Sequence, residues 1–371
     1  MKILYVATVV QNHIIEFHVP PLKMLKEMGW ETAVAARNDF DNPADCAIPY
    51  CDTYYDIPFE RNPFKPGNIK AYKKLKRVID EGNYDIIHCH TPVGGMITRL
   101  AAIGARKRGT KVFYTAHGFH FYKGAPLINW ILYYWAERLL ARMTDVLITI
   151  VHEDYERAKK FKTGKVEYVP GVGVDLDRFK KSSSEESAAL RAELGIPNDA
   201  TVLLSVGEVN ANKNHKVVIK ALPAFSNTWY VICGRGPLIE QHKKLAHSLG
   251  VEDRVIMTGY RRDVELFYSI ADIFVFPSIR EGLPVALMEA MATGLVCVAS
   301  KNRGTDDLLG ESPLRFEATS VTDLKDKLSK VIRGVFSTDS EIKRNKERLQ
   351  TFDIRNTLQA VKSLYLRETR N

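Results

Sequence analysis

Two glutamates with seven residues between them, set around a strand-to-helix turn, are the strongest chemical feature of this chain. The run Phe276-Pro277-Ser278-Ile279-Arg280-Glu281-Gly282-Leu283-Pro284-Val285-Ala286-Leu287-Met288-Glu289 reads as a strand ending at Phe276, a tight turn, and a helix whose first residue is Pro284. The free N–H groups of Leu283, Val285 and Ala286 would then point outward with the positive end of the helix dipole behind them, which suits a diphosphate. Glu281 and Glu289 could accept hydrogen bonds from sugar hydroxyls while the helix start holds phosphate. The alternative is structural: Glu281 caps the helix and Glu289 makes a surface ion pair.

Other constellations are weaker. His88-Cys89-His90 ends a strand and has the look of a metal pair, but no carboxylate or third histidine accompanies it at ligand spacing. It therefore reads as a structural wall. Asp175-Leu176-Asp177 spells a D-x-D that could hold a divalent cation. The five cysteines, Cys46, Cys51, Cys89, Cys233 and Cys297, are odd in number and scattered, which supports neither a disulfide framework nor a zinc ribbon.

Strands and helices must alternate to position these residues. Short apolar runs at Lys2–Ala7, Glu31–Ala36, Asp85–His88, Lys111–Thr115 and Asp145–Ile150 are separated by helical stretches at 21–28, 69–81, 96–108 and 126–143. A second series restarts at Thr201–Gly207 and continues at 229–234, 255–259, 273–276 and 296–299. The pattern predicts an α/β protein with two parallel sheets. The boundaries expected are an N-terminal domain over 1–175, a polar linker over 176–199, a C-terminal domain over 200–350, and a terminal helix over 351–371. Ligands of such sheets sit beyond the carboxyl ends of the strands, so the expected site is a cleft between two facing domains.

The 371 residues, 45% hydrophobic and 26% charged, suit two globular domains rather than a disordered chain. The chain opens on a strand-like run instead of a signal peptide, and no stretch has the length of a spanning helix, so a cytoplasmic location is expected. A net charge of +9 asks for an anionic partner: a phosphorylated ligand, nucleic acid or anionic lipid.

The segment E-G-L-P-V-A-L-M-E-A-M-A-T-G, with Glu281-x7-Glu289, resembles the signature of glycosyltransferase family 4. That resemblance implies the GT-B fold of two facing Rossmann-like domains. It also implies a retaining transfer of a hexose or N-acetylhexosamine from a nucleotide sugar, UDP-linked, with no metal and no other cofactor. Glu289 would bind the nucleotide ribose and Glu281 the donor sugar, beside Gly282, Leu283, Pro284 and Val285. Val206-Gly207-Glu208-Val209-Asn210-Ala211-Asn212-Lys213 resembles the loop that supplies an Arg and a Lys to the donor diphosphate. Lys213 matches the Lys, Gly207 and Asn212 line the loop, and Glu208 stands where the Arg belongs, so half of the usual clamp is missing. Asn210, Asn212 or Arg280 are the alternatives for that half. Gly234-Arg235-Gly236-Pro237 resembles the family's G-x-G-P turn, and Tyr260 and Arg261 lie in the loop that passes the base. In the first domain, Tyr114-Thr115-Ala116-His117-Gly118 places His117 at the family's active-site histidine, with His120 as a lesser candidate. His-x-His is common in the family without metal, and the D-x-D falls in its G-V-D-x-x-x-F crossing, hence linker chemistry. The loop after the first strand lacks the usual glycines, and Asn12 and His13 would line the acceptor side through their side chains.

The acceptor is read from charge and apolarity. Arg61, Lys65, Lys70, Lys73, Lys74, Lys76 and Arg77 form a basic run without an acid, and Lys123 to Trp135 joins a cation to an aromatic, apolar helix. Together they suit peripheral contact with an anionic membrane, and so a lipid-diphosphate-linked saccharide acceptor. The look of Y-T-A-H-G-F-H-F and K-G-A-P-L is that of bacterial capsular or exopolysaccharide enzymes. No nucleic-acid-binding motif is present. Two other classes share parts of this pattern: a nucleotide-sugar epimerase or hydrolase of GT-B fold, and a non-catalytic glycosyltransferase-like partner subunit.

Overall fold

The computed structural model describes residues 1–369, and the chain divides into two compact units. The first unit comprises Met1–Val172 and the segment from Arg355 onward, and the second Gly173–Ile354. Residues 176–199, expected as a linker, lie inside the second unit, where helix Ser184–Glu193 is capped by Ser183 and Glu186 in a reciprocal capping box. The D-x-D stands at the entry to this segment: Asp175 Oδ1 accepts from the N–H groups of Asp177 and Arg178, an Asx turn in solvent. Helix Ile354–Thr369 belongs to the first unit from Arg355 onward, and Asn371 and its neighbour at 370 lie outside the described residues.

The first unit is built on β1 (Lys2–Val9), β2 (Glu31–Arg37), β3 (Thr53–Asp56), β4 (Ile86–His90), β5 (Lys111–Ala116), β6 (Val146–Thr149) and β7 (Lys165–Tyr168). They pair in parallel in the order 3-2-1-4-5-6-7. The second unit has β8 (Thr201–Val206), β9 (Thr228–Cys233), β10 (Val255–Gly259), β11 (Ile273–Phe276), β12 (Val296–Ser300) and β13 (Arg315–Phe316), parallel in the order 10-9-8-11-12-13. Both are doubly wound sheets, and their order reverses between β1 and β4 and between β8 and β11. The central strands are buried on both faces, which is why they read as unbroken apolar runs. β3, β7 and β13 escaped sequence reading because they are sheet edges, short and half-exposed, and carry polar residues.

Three local departures from the expected elements matter for function. The segment after β1 is a wide, π-type helical turn, Val10–Ile15, rather than a loop, and it runs on toward helix Val19–Glu27. Helix 96–108 is two helices, Pro92–Ala101 and Ile103–Lys107. The expected helix 126–143 contains a second wide turn at Trp130–Tyr134 between Leu127–Asn129 and Trp135–Leu140. This last segment is anchored by charge. Arg99, fully buried, forms a two-pronged pair with Glu137 at 2.8 and 3.1 Å, donates from Nε to the Gly95 carbonyl, and lies 3.9 Å over the Tyr114 ring.

A buried guanidinium stripped of its carboxylate is strongly unfavourable. Glu137→Ala should therefore cost about 3–5 kcal/mol in urea unfolding, and the loss should exceed that of Glu137→Gln. A Glu137→Ala chain unfolding at the wild-type midpoint would refute the anchoring role.

Candidate active site

In the second unit the polar side chains gather where β8 and β11 end, at the reversal of strand order. Lys213, in the loop after β8, places Nζ 2.7 Å from Glu281 Oε1, in the turn after β11, and both side chains are mostly buried. The two loops are stitched together: Asn212 donates to the Arg280 carbonyl at 2.9 Å, and the Ile279 N–H donates to the Asn212 carbonyl at 2.8 Å. Asn210 in turn accepts from the Lys213 N–H at 3.0 Å. Asn212 and Asn210 thus hold the loop that presents Lys213.

Helix Val285–Thr293 starts one residue later than expected. Pro284 is extended and occupies the capping position, because its carbonyl already accepts the first helical bond from Met288. No side chain caps this helix start, and Glu281 is committed to Lys213, so the capping role considered for Glu281 is not the one the fold uses. Val285 and Ala286 are half-buried there, with Leu283 and Pro284 buried beside them. Glu289, on the second turn, accepts from the buried Tyr268 hydroxyl at 2.8 Å. Arg303, 7% exposed, donates from Nε to the Glu281 carbonyl at 3.0 Å. Sequence reading missed Tyr268 and Arg303, since neither lies in the segment that carries the two glutamates.

The glycines of this unit serve close approach. A Cβ on Gly234 would stand 1.8 Å from the Gly207 carbonyl oxygen, so the G-x-G-P turn is what lets the loops after β8 and β9 meet. Glu208 is exposed. Tyr260 is exposed, with the Arg235 guanidinium 5.6 Å from its ring centroid, whereas Arg261 is locked to Asp263 by two bonds of 2.9 and 2.6 Å.

In the first unit the polar side chains gather at the ends of β1, β4 and β5, again at the reversal. One ring nitrogen from each of His13, His18, His90 and His117 lies within 4.8 Å of the others. His90 Nδ1 and His117 Nε2 are 3.3 Å apart, and the His18 and His90 rings are 4.0 Å apart. His13 and His18 are brought to one side by the wide turn, their ring centroids 4.9 Å apart. His88 stacks behind His90 but has both nitrogens occupied, one by Tyr365 and the other by Thr115 Oγ1 at 2.8 Å. The Tyr365 hydroxyl also meets that of Tyr5 at 2.7 Å, which ties helix Ile354–Thr369 to the sheet.

Burial disfavours charge on these rings. The His117 pKa is held down to about 4 and that of His88 to about 3, while those of His13, His18 and His90 lie well below 6.5; desolvation is the main cause, with mutual repulsion added for all but His117. His120 is not among the converging rings; it packs 4.8 Å from Tyr133, and its carbonyl accepts from Asn129. Asn12 is tied to Asp39 through its side chain at 2.6 Å, and the Gln11 N–H bonds the same carboxylate at 2.6 Å. No further histidine was visible at ligand spacing from His88-x-His90 in the sequence, but the fold gathers His13, His18 and His117 around His90, while His88 is satisfied by Tyr365 and Thr115.

Two doubly wound sheets, each with a polar constellation at its switch point, define the GT-B class. Comparisons agree with this. A model of "Glycosyltransferase Family 4" matches residues 22–178 and one of "Glycosyl transferases group 1" matches residues 186–348. EpsD of Bacillus subtilis, a protein provisionally named a glycosyltransferase, is 43% identical over 314 residues, spanning 83% of this chain and 81% of that one. The UDP-Gal:alpha-D-GlcNAc-diphosphoundecaprenol alpha-1,3-galactosyltransferase of Escherichia coli is 29% identical over 253 residues, 65% of this chain and 64% of that one. Anabaena Alr3699/HepE, solved in complex with UDP and glucose, superposes with a TM-score of 0.80 at 17% identity over 98% of this chain and 99% of that one. The chain belongs to glycosyltransferase family 4 and is a glycosyltransferase of GT-B type, similar to enzymes of bacterial polysaccharide synthesis.

The depressed imidazoles make stability pH-dependent with a definite sign. Below pH 6.5 the unfolded chain takes up protons that the buried rings refuse, so stability falls as pH falls, until His117 titrates in the fold near pH 4. Between pH 6.5 and 5 the loss from His117 alone should be on the order of 2 kcal/mol. Urea midpoints across this range should fall, and His117→Asn should flatten the slope; a flat wild-type profile would contradict buried neutral imidazoles.

Proposed function

We propose that this chain transfers a hexose or N-acetylhexosamine, with retention, from a UDP-sugar to a lipid-diphosphate-linked saccharide in capsule or exopolysaccharide synthesis. The observation that carries the reading is the Lys213–Glu281 pair beside the uncapped start of the helix that bears Glu289. An arriving diphosphate meets the Lys213 ammonium, the free N–H groups of the helix start and Arg303 at the Glu281 carbonyl; these supply the cationic field without a metal at the diphosphate. Arg303 thereby takes the role left vacant by Glu208. Diphosphate binding shifts Lys213 from Glu281 to phosphate, and the released carboxylate accepts hydrogen bonds from the donor sugar. Glu289, oriented by Tyr268, binds the ribose hydroxyls, with Tyr260 near the base. The bond from the anomeric carbon to the diphosphate oxygen breaks while the acceptor oxygen bonds that carbon on the same face. The leaving phosphate oxygen takes the acceptor proton. Neutral His117 hydrogen-bonds a sugar hydroxyl during transfer. The Escherichia coli relative whose name includes UDP-Gal and diphosphoundecaprenol supports this choice of substrates.

Membrane contact is supported by a surface of the first unit. Among the described residues no helix is long and apolar enough to cross a membrane. In the segment 127–140, Trp130, Tyr133 and Tyr134 pack on the core, while Leu127 (74% exposed), Ile128, Ile131, Leu132, Trp135 (58%) and Leu139 face outward. Phe64 (77% exposed) and Ile69 stand out from the basic run, where Arg61, Lys65, Lys70 and Lys73 form no ion pair among the described residues; Lys76 and Arg77 are paired with Asp80 and Glu81. Helices Gly67–Gly82 and Trp135–Leu140 both pack against helix Pro92–Ala101, over one face of the sheet. Apolar side chains interleaved with free cations fit the headgroup boundary of an anionic bilayer, and inserting several of them would return several kcal/mol at ~25 cal/mol per Å².

Incubating the chain with labelled nucleotide sugars and membrane lipid should move label to lipid. Glu289→Ala and Lys213→Ala should each lower transfer at least about 100-fold, the scale of losing one preorganised electrostatic contact, in chains that still fold; wild-type rates would sink the donor site. Released, altered nucleotide sugar without transfer would favour the epimerase or hydrolase. In co-sedimentation, Ile131→Glu with Trp135→Glu should abolish binding to phosphatidylglycerol vesicles, and undiminished binding would exclude this face.

A further inference from the structure

We infer that His13, His18, His90 and His117 form a transition-metal site in the first unit, with Zn²⁺ as the ion best matched to four imidazoles. The inference goes beyond the transfer reading; it shares His117 with that reading, but the two fail separately, because metal content is read whether or not sugar is moved. It also revises the expectation that the chain holds no metal.

Convergence comes first. The four rings arrive from four places: His13 from the wide turn after β1, His18 from the residue before helix Val19–Glu27, His90 from the last residue of β4, and His117 from the residue after β5. Each contributes a nitrogen within 4.8 Å of the others. A tetrahedral Zn²⁺ with bonds of 2.0–2.1 Å needs its ligand nitrogens about 3.3 Å apart, and His90 Nδ1 and His117 Nε2 already stand at 3.3 Å. Closing the widest separation takes about 1.5 Å by the same geometry, within reach of ring rotation.

Unsatisfied lone pairs are the second, independent observation. His18 is 4% exposed, and the Nε2 atoms of His13 and His18 are buried without a hydrogen-bond partner, while His90, 2% exposed, meets His117 through Nδ1. Buried polar atoms are normally paired, so two orphaned nitrogens beside the His90–His117 contact call for a ligand. His88 supplies the contrast: it is as buried and as close, but Tyr365 and Thr115 satisfy both its nitrogens, which leaves it supporting the site from behind.

Chemistry selects the class of ion. Four neutral nitrogen donors and no carboxylate suit Zn²⁺, Cu²⁺, Ni²⁺ or Co²⁺ and disfavour Mg²⁺ and Ca²⁺, which want oxygen. The rings remain neutral at pH 7, the state that binds metal, so no proton has to be displaced. His13 and His117 are partly exposed and give the ion a way in, and a cavity of about 40 Å³ beside His18, His90 and His117 has room for water. Bound there, the ion would fasten the turn after β1 to the ends of β4 and β5 and fix the ring of His117.

The test uses the full-length chain, purified without a histidine tag, exchanged against Zn²⁺ and dialysed free of excess. Mass spectrometry should find close to one Zn²⁺ per chain, and Co²⁺ in its place should give the intense visible bands of a tetrahedral nitrogen site. Zn²⁺ should raise the melting temperature by roughly 3–6 °C, and chelation should reverse it. His18→Ala with His90→Ala should lose both ion and spectrum, while His120→Ala keeps them. Well under one ion per chain together with a featureless cobalt spectrum would overturn the inference and leave a hydrogen-bonded imidazole cluster only. Full binding in the His18→Ala, His90→Ala chain would equally overturn it by placing the ion elsewhere. Should that double variant fail to fold, the wild-type stoichiometry and cobalt spectrum decide.

Discussion

A parallel strand buried on both faces has nowhere along its length to put a group that does chemistry. Ile86, Ile87, Phe113, Val146 and Ile148 in one sheet, and Leu203, Leu204, Phe274 and Val275 in the other, are all fully or nearly fully buried. Polar function must begin where the strand stops, and the loops can part only where the winding of the sheet reverses. Both constellations obey this constraint. Lys213 and Glu281 follow β8 and β11, the pair flanking one reversal; the four histidines follow or end β1, β4 and β5 around the other.

The two sites then use opposite electrostatics. In the second unit a cation and an anion neutralise one another at 2.7 Å, with a helix start and Arg303 close at hand. Such a pair keeps its charges ready, because the ammonium can be handed to a phosphate when one arrives. In the first unit there is no charge to hand over: burial keeps the imidazoles neutral, and their mutual repulsion when protonated reinforces it. Neutral rings can bind a metal or hydrogen-bond a sugar hydroxyl, but they cannot hold a diphosphate by charge. The second unit's constellation is thus suited to an anion, and the first unit's to a neutral hydroxyl or a metal.

How far each site was legible follows from how it is encoded. Glu281, Glu289 and Lys213 sit in contiguous strand–turn–helix segments; type and spacing drew attention to the two glutamates without deciding between a binding and a structural role, and Lys213 stood out only through the resemblance to the family's loop. The histidine cluster is assembled from residues up to about a hundred positions apart, and His18 entered it only through a wide turn. On a regular helix, residues five apart diverge by about 140°, so no periodicity would have joined His13 to His18. The glycine-poor loop after β1 read as a deficiency, whereas it is a wide helical turn. Edge strands β3, β7 and β13 were hidden for a related reason: half-exposed backbone does not write an apolar run.

The segment 127–140 shows the same rule from the outside. Its sequence is apolar almost throughout, which by itself describes a core helix as well as a membrane-seeking one. What separates the two is the inward anchor. Arg99 and Glu137 pin one side to helix Pro92–Ala101, Trp130 and Tyr134 fill the core beneath, and the remaining six large apolar side chains are left with solvent. A buried ion pair is a costly way to hold a helix that could have been held by leucines. Placed here, it fixes which face points inward without adding apolar residues that would make the two faces interchangeable, and so it leaves the six exposed apolar side chains together on the outer face.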